Sequence, residues 1–174
     1  MITIINGTHR TDNRTQVFSK ACLEILNYEH KTTQVNYLTL EKLQANHILD
    51  NMFGKRSPEF QTLIDTYITP AQKFIFLIPE YNGSYPGILK LFIDSIPPSM
   101  FKGKKACVIG VSEGKAGCLM GIDHLTVTLN HIGVTTLAQR QPFSNMSSLI
   151  TNDVVSDEST LTVLKQLMTN FVSF

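Results

Sequence analysis

Two arginines and three threonines crowd one nine-residue stretch, Gly7-Thr-His-Arg-Thr-Asp-Asn-Arg-Thr15. Arg10 and Arg14 carry planar guanidinium forks that match the oxygens of a phosphate, and Thr8, Thr11, Asn13 and Thr15 add hydroxyl or amide donors. If a strand leads in and a helix leads out, the helix contributes free backbone N–H groups and a positive dipole end at the same place. A pair of arginines suits a dianionic terminal phosphate better than a diester. The stretch has neither G-x-G-x-x-G nor G-x-x-x-x-G-K-[ST], which argues against a dinucleotide or P-loop NTPase role for this loop. The plainer reading is that Asp12 or Asn13 caps the helix while the arginines stay solvated.

Two further clusters have the composition of a site. Pro79-Glu-Tyr-Asn-Gly-Ser-Tyr-Pro-Gly87 combines an acid, two tyrosines, an amide and two glycines, more than a connection of about 4 to 6 residues needs. Ser112-Glu-Gly-Lys-Ala-Gly-Cys118 is the third. Other chemistries lack their residues: Cys22, Cys107 and Cys118 show no C-x-x-C spacing, and the five histidines form no H-x-x-x-H pair. Neither a zinc site nor a disulfide framework is expected.

The elements that must position these clusters follow from hydrophobic periodicity. Ile2 to Ile5 reads as a strand closed by Asn6-Gly7, and Val17, Phe18, Ala21, Cys22, Ile25 and Leu26 form one helical stripe. Val35 to Leu40 is a weaker strand, residues 41 to 58 are irregular or partly helical, and a helix through Phe60, Leu63, Ile64 and Tyr67 ends before Pro70. Phe74 to Ile78 is apolar throughout, as a strand buried on both faces must be, and stops at Pro79. A helix over Gly87 to Ile96 lies between Pro86 and Pro97-Pro98. Ala106 to Val111 is the fourth strand, Leu119 to Ile132 a helix ended by Gly133, and Val134 to Ala138 the fifth strand. A last helix starts near Asp157. This alternation predicts a single α/β domain over residues 1–174, a flavodoxin-like doubly wound sheet of five parallel strands in the order 2-1-3-4-5, with about five helices on both faces. In that order, the three polar clusters follow strands one, three and four and lie side by side at the carboxyl edge, where such sheets bind ligands.

The second cluster also carries a resemblance. Pro79-Glu-Tyr-Asn-Gly-Ser-Tyr-Pro-Gly-Ile-Leu-Lys90 closely resembles the P-E-Y-N-G-S-x-P-G-x-L-K segment of the NADPH-dependent FMN reductase family, which includes quinone, azo-dye and chromate reductases. Gly7-Thr8-His9-Arg10 looks like that family's G-S-x-R, and looser similarity runs to about Gly133. The resemblance implies bound FMN, with NADPH or NADH as hydride donor and a small-molecule electron acceptor. It assigns the FMN phosphate to Thr8, His9, Arg10, Asn13 and Thr15. Pro79, Glu80, Tyr81, Asn82 and Gly83 would follow the isoalloxazine edge, and Ser112, Glu113, Gly114, Lys115 and Gly117 would lie on its other side. The chain departs from the pattern at Asn13 and Thr15, where Ser and Asn are usual, and both replacements keep a donor. Ala116 and Cys118 stand in a loop that often has adjacent glycines, and Asp94-Ser95 stands where Trp is often found. No catalytic side chain is expected, because the cofactor carries the hydride chemistry. Lys115 either turns inward to stabilise the reduced ring or remains a solvated loop charge. Arg10, Arg14, Lys55 and Arg56 offer contacts to a 2′-phosphate, without deciding between NADPH and NADH.

Composition bounds the partners. Of 174 residues, 43% are hydrophobic and 17% charged, with a net charge of +1 and no basic run, so the footprint of a nucleic-acid or anionic-membrane binder is missing. The opening residues lack the pattern of a signal peptide and no stretch approaches about 20 apolar residues, so a cytoplasmic protein is expected. Near-neutral charge also disfavours a flavodoxin-type electron carrier that docks by electrostatics, while a cofactor-free interaction protein on the same fold is the other alternative. Ile88, Leu89, Leu91, Phe92, Ile93 and Ile96 leave the helix after the second cluster with hardly any polar face. Either a second copy covers it, giving a homodimer or dimer of dimers, or it is buried deeper within one chain.

Overall fold

Parallel strands β1 (Ile2–Asn6), β2 (Val35–Thr39), β3 (Lys73–Pro79), β4 (Lys105–Val111) and β5 (Thr135–Thr136) are arranged in the order β2-β1-β3-β4-β5. The description comes from a computed structural model covering residues 1–174. This is the expected flavodoxin-like order, and its strand sequence reverses between β1 and β3. The β1–β3 register pairs Asn6 with Leu77, and the β3–β4 register pairs Pro79 with Val111, so the three polar clusters leave the sheet along one edge.

Alternation along β3 separates two cores. Phe74, Phe76 and Ile78 face a cluster completed by helices α2 (Ala45–Asp50), α3 (Pro58–Tyr67), α4 (Gly87–Asp94) and α5 (Leu119–His131). Ile75 and Leu77 face the other cluster, under α1 (Thr15–Glu29) and α6 (Glu158–Ser173). Period-two side chains buried on both faces explain why β3 is apolar without interruption. Helix starts follow local chemistry: Ser57 Oγ accepts from the Phe60 N–H ahead of Pro58, and the Asp157 carboxylate accepts from the Thr160 N–H.

The elements differ from expectation in detail. Of six α-helices against about five expected, the additional one is α2, inside the segment expected to be irregular or partly helical. The fifth strand position is not one run over Val134 to Ala138. It is divided between β5, which pairs with Lys105 and Ala106, and β6 (Gln141–Phe143), which pairs with Ile109 to Val111, making six strands in five positions. Pro142 is tolerated there because this is a sheet edge, and Phe143 anchors the piece against Phe18, ring centroids 5.3 Å apart. An antiparallel pair, β7 (Ile150–Thr151) with β8 (Val154–Val155), also lies outside the expected elements.

Helix α4 buries Ile88, Leu89, Phe92, Ile93 and the following Ile96 within the single chain, with Ile48 of α2 in the same cluster. Gly87, Lys90 and Asp94 remain exposed, and Lys90 pairs with Asp94 at 2.7 Å. Its apolar composition is therefore accounted for by burial inside one chain. No helix is long and apolar enough to cross a membrane.

Candidate functional site

The first loop leaves β1 where there is no room for a side chain. A Cβ on Gly7 would lie 2.9 Å from Leu89 Cδ2 and 3.2 Å from the Leu77 carbonyl oxygen. The loop then turns through Asp12, whose φ of 55° is left-handed, and enters α1. The backbone N–H groups of Thr8, His9, Thr11, Asp12, Arg14 and Thr15 find no acceptor within the chain. No acid stands in the first turn of α1, so this row of donors and the helix dipole together favour an external anion.

Side chains in this loop divide into those that build it and those that face out. Asn13 is buried: its Oδ1 accepts from Asn6 Nδ2 and from the Gln16 N–H, both at 3.0 Å, and its Nδ2 donates to the Arg10 carbonyl at 2.8 Å. The amide thus shapes the loop and accepts from a first-turn N–H of the helix. Thr8 and Thr15 are buried too, whereas His9 and Arg10 are exposed. Arg14 pairs with Glu113 of the third loop at 3.3 Å and also contacts Ser147. Hydrogen bonds from Ser147 hold the Glu113 carboxyl below the usual carboxylate range, with Arg14 adding to the effect. Arg56 donates to the Ser95 carbonyl at 3.1 Å. Of the four cations considered for phosphate contacts, Arg14 and Arg56 are therefore already engaged.

The second loop is a two-residue hairpin turn. Tyr81 and Ser84 exchange backbone hydrogen bonds at 2.8 and 3.1 Å, with Asn82 and Gly83 at φ of 50° and 77° between them. Asn-Gly is the pair that tolerates two successive positive φ values. The Tyr81 hydroxyl lies 2.7 Å from Thr8 Oγ1, which also accepts from the Arg10 N–H at 3.2 Å, so the turn is tied directly to the first loop.

The third loop depends on close backbone packing. A Cβ on Gly110 would lie 2.7 Å from the Gly117 carbonyl oxygen, and one on Gly117, at φ +60°, would meet Pro142 at 2.7 Å. Cys118 follows at φ 67° and begins α5. Burial, and then the nearby Glu80 charge, push its thiol up to about 12, so it stays protonated and unreactive at neutral pH. Ser112 is buried and its hydroxyl donates to the Gly114 carbonyl at 3.1 Å, while Glu113, Gly114 and Lys115 are exposed. Their three backbone N–H groups find no acceptor within the chain.

Sequence reasoning missed the part of α5 that supports the second loop. A Cβ on Gly121 would lie 3.1 Å from both the Ser84 carbonyl carbon and the Tyr85 nitrogen. His124 Nδ1 is 2.9 Å from Ser84 Oγ, and Thr128 Oγ1 is 3.1 Å from the Tyr85 hydroxyl. A glycine inside a helical stretch was the available signal, since such a residue usually has a packing reason.

The polar loops form a rim along the carboxyl edge of the sheet. Two apolar grooves lie elsewhere: one between α1, α6 and the β7–β8 pair, including Tyr28 and Val154, and one between α4 and α5, including Phe53 and Val127. A rim with an anion cradle at one end and exposed turn backbone beside it fits FMN, a flat ring on a phosphate tail. Backbone N–H groups and the exposed Arg10 are available as donors at the first loop, and free backbone N–H groups are available on the second and third loops.

Comparison with known proteins identifies the family and the fold. Residues 1–147 match the family model described as NADPH-dependent FMN reductase. An NAD(P)H-dependent FMN reductase of Pseudomonas aeruginosa is 41% identical over 73 residues, a match spanning 40% of each chain. A 2-hydroxy-1,4-benzoquinone reductase of a Burkholderia species is 27% identical over 123 residues, 67% of each chain. Among solved structures, an NADH:FMN oxidoreductase in apo form superposes with a TM-score of 0.81 at 20% identity, covering 99% of this chain and 89% of that one. With that family model matched over most of its length, the chain belongs to the NADPH-dependent FMN reductase family.

Proposed function

We propose that this protein is an FMN-dependent NAD(P)H oxidoreductase whose second substrate is a small planar acceptor of the quinone class. The observation that carries the reading is the row of unpartnered backbone donors over Thr8 to Thr15, tied through Thr8 and Tyr81 to a hairpin turn with exposed backbone. FMN, when bound, accepts hydride from the nicotinamide and passes electrons to the acceptor.

The chain's own groups bind and orient. Backbone N–H groups of the first loop and the Arg10 guanidinium hold the phosphate, while Asn13 keeps the helix start in register. Asn82 and Gly83 offer backbone groups to the ring edge, and Glu113 to Lys115 offer theirs from the opposite side. No side chain is needed as acid, base or nucleophile. A quinone acceptor is supported by Leu119 and Met120, 39% and 54% exposed at the start of α5 beside the loops, and by the name of the Burkholderia relative. We also infer a twofold dimer, or a dimer of dimers, through the α4–α5 groove, where Phe53 is 85% exposed.

An anaerobic titration of the FMN-loaded protein with NADPH and NADH tests cofactor and donor together. Bleaching of the flavin absorbance followed by its return on adding benzoquinone is the expected result. Protein that never acquires flavin absorbance after incubation with FMN, or that retains flavin but is reduced by neither nucleotide, refutes the proposal.

A further inference from the structure

The exposed hairpin turn at Tyr81 to Ser84 has little holding it from within. Its tip residues, Asn82 and Gly83, are exposed, and a Cβ on Gly83 would meet nothing within 4 Å. A two-residue turn held only by its own pair of backbone bonds is free to tilt as a unit. Its orientation is set by what grips its two ends. Tyr81 is gripped by Thr8. Ser84 and Tyr85 are gripped by α5, through residues at positions 121, 124 and 128, the i, i+3, i+7 spacing of one helical face.

We propose that His124 is a positioning residue for the cofactor: its imidazole holds the Asn82–Gly83 tip at the height where its backbone groups meet the isoalloxazine edge. Three contacts converge on this role. Gly121 removes the side chain that would push the helix off Ser84 and Tyr85, since its Cβ would lie 3.1 Å from their backbone. Thr128 Oγ1 donates to the His124 carbonyl at 3.0 Å, so the Tyr85 hydroxyl is the donor in its 3.1 Å contact with Thr128. His124 Nδ1 then completes the grip on Ser84 Oγ at 2.9 Å. The imidazole is exposed, so its bond to Ser84 is made without burying the ring. It touches the turn and acts through Ser84. The inference rests on the FMN reading and adds to it a residue outside the three loops.

His124→Ala, His124→Asn and Ser84→Ala test it, with the double variant Ser84→Ala/His124→Ala. Asn places an amide atom near the former Nδ1. His124→Ala is expected to weaken FMN binding about 3- to 10-fold, the worth of one hydrogen bond, and to shift the bound-flavin absorption or fluorescence. His124→Asn is expected to recover most of both. The double variant is expected to bind no worse than either single one, because both remove the same bond. In flavin-free protein, His124→Ala is expected to lower hydrogen-exchange protection at the Tyr81 and Ser84 N–H groups. An alanine variant that binds FMN as wild type does with an unchanged spectrum overturns the proposal, as does an Asn variant no better than Ala. Wild-type protein that fails to bind FMN refutes the flavin reading, and the exchange result then decides by itself whether His124 grips the turn.

Discussion

Arg10 and Arg14 stand four residues apart in the same loop, yet the structure gives them different work. Arg10 is exposed without an acidic partner, while Arg14 is bonded to Glu113 and Ser147. A charge-assisted hydrogen bond contributes about 1.5–3 kcal/mol, so Arg10→Ala is expected to weaken FMN binding about 10- to 100-fold at fixed salt. Arg14→Ala is expected to weaken it less, because its guanidinium is shared with a carboxylate. Titration by quenching of FMN fluorescence measures both, and equal losses would count against the assignment. Asp157 and Glu113 are two of the carboxyls that tie stability to pH on the acid side. Hydrogen bonds from Ser159 and Thr160 hold Asp157 below its ordinary value of 3.8, and those from Ser147 hold Glu113 below its ordinary 4.5. A depressed folded-state value means that the stabilisation is complete above the unfolded value and is lost as pH falls through the folded one. Thermal unfolding between about pH 5 and pH 2 is expected to show this loss, and Asp157→Asn to flatten part of it.

At the scale of elements, two glycines stand at opposite extremes of constraint. Gly117 combines φ +60° with a Cβ position 2.7 Å from Pro142 Cβ. The left-handed conformation costs an ordinary residue about 1–2 kcal/mol, and displacing a packed neighbour about 1–3 kcal/mol more. Gly117→Ala is therefore expected to lower stability by about 2–5 kcal/mol in urea unfolding and to weaken FMN binding as the third loop moves. Gly87 opens α4 with neither a positive φ nor a neighbour within 4 Å, so Gly87→Ala is expected to stabilise by about 0.4–1 kcal/mol. If both substitutions have the same effect, close packing does not set the third loop. The same scale shows where periodicity failed as a guide. The piece that pairs with the upper half of β4 is Gln141-Pro-Phe143, a stretch whose proline marks it as non-strand unless the sheet edge is already known.

At the scale of the whole molecule, the proposed function places both substrates at one sheet edge. If NAD(P)H and acceptor occupy it in turn, steady-state rates at several acceptor concentrations are expected to give parallel double-reciprocal lines, the pattern of ping-pong kinetics; intersecting lines would require separate places for the two. Light scattering is expected to give a multiple of the 19.5 kDa chain mass, reduced towards one chain by Phe53→Glu. The alternation of strands and helices, the buried β3, the three polar clusters and the Pro79–Lys90 resemblance were all determined by the sequence, because each is written in residues close together along the chain. Strand order then brought those clusters to one edge. Only the tertiary structure decided that α2 helps bury α4, that Asn13 builds the loop from within, that Arg14 is held by Glu113, and that Gly121, His124 and Thr128 support a turn some 40 residues earlier. These contacts join segments distant in sequence, and hydrophobic periodicity, which is local, carries no information about which helix face meets which loop.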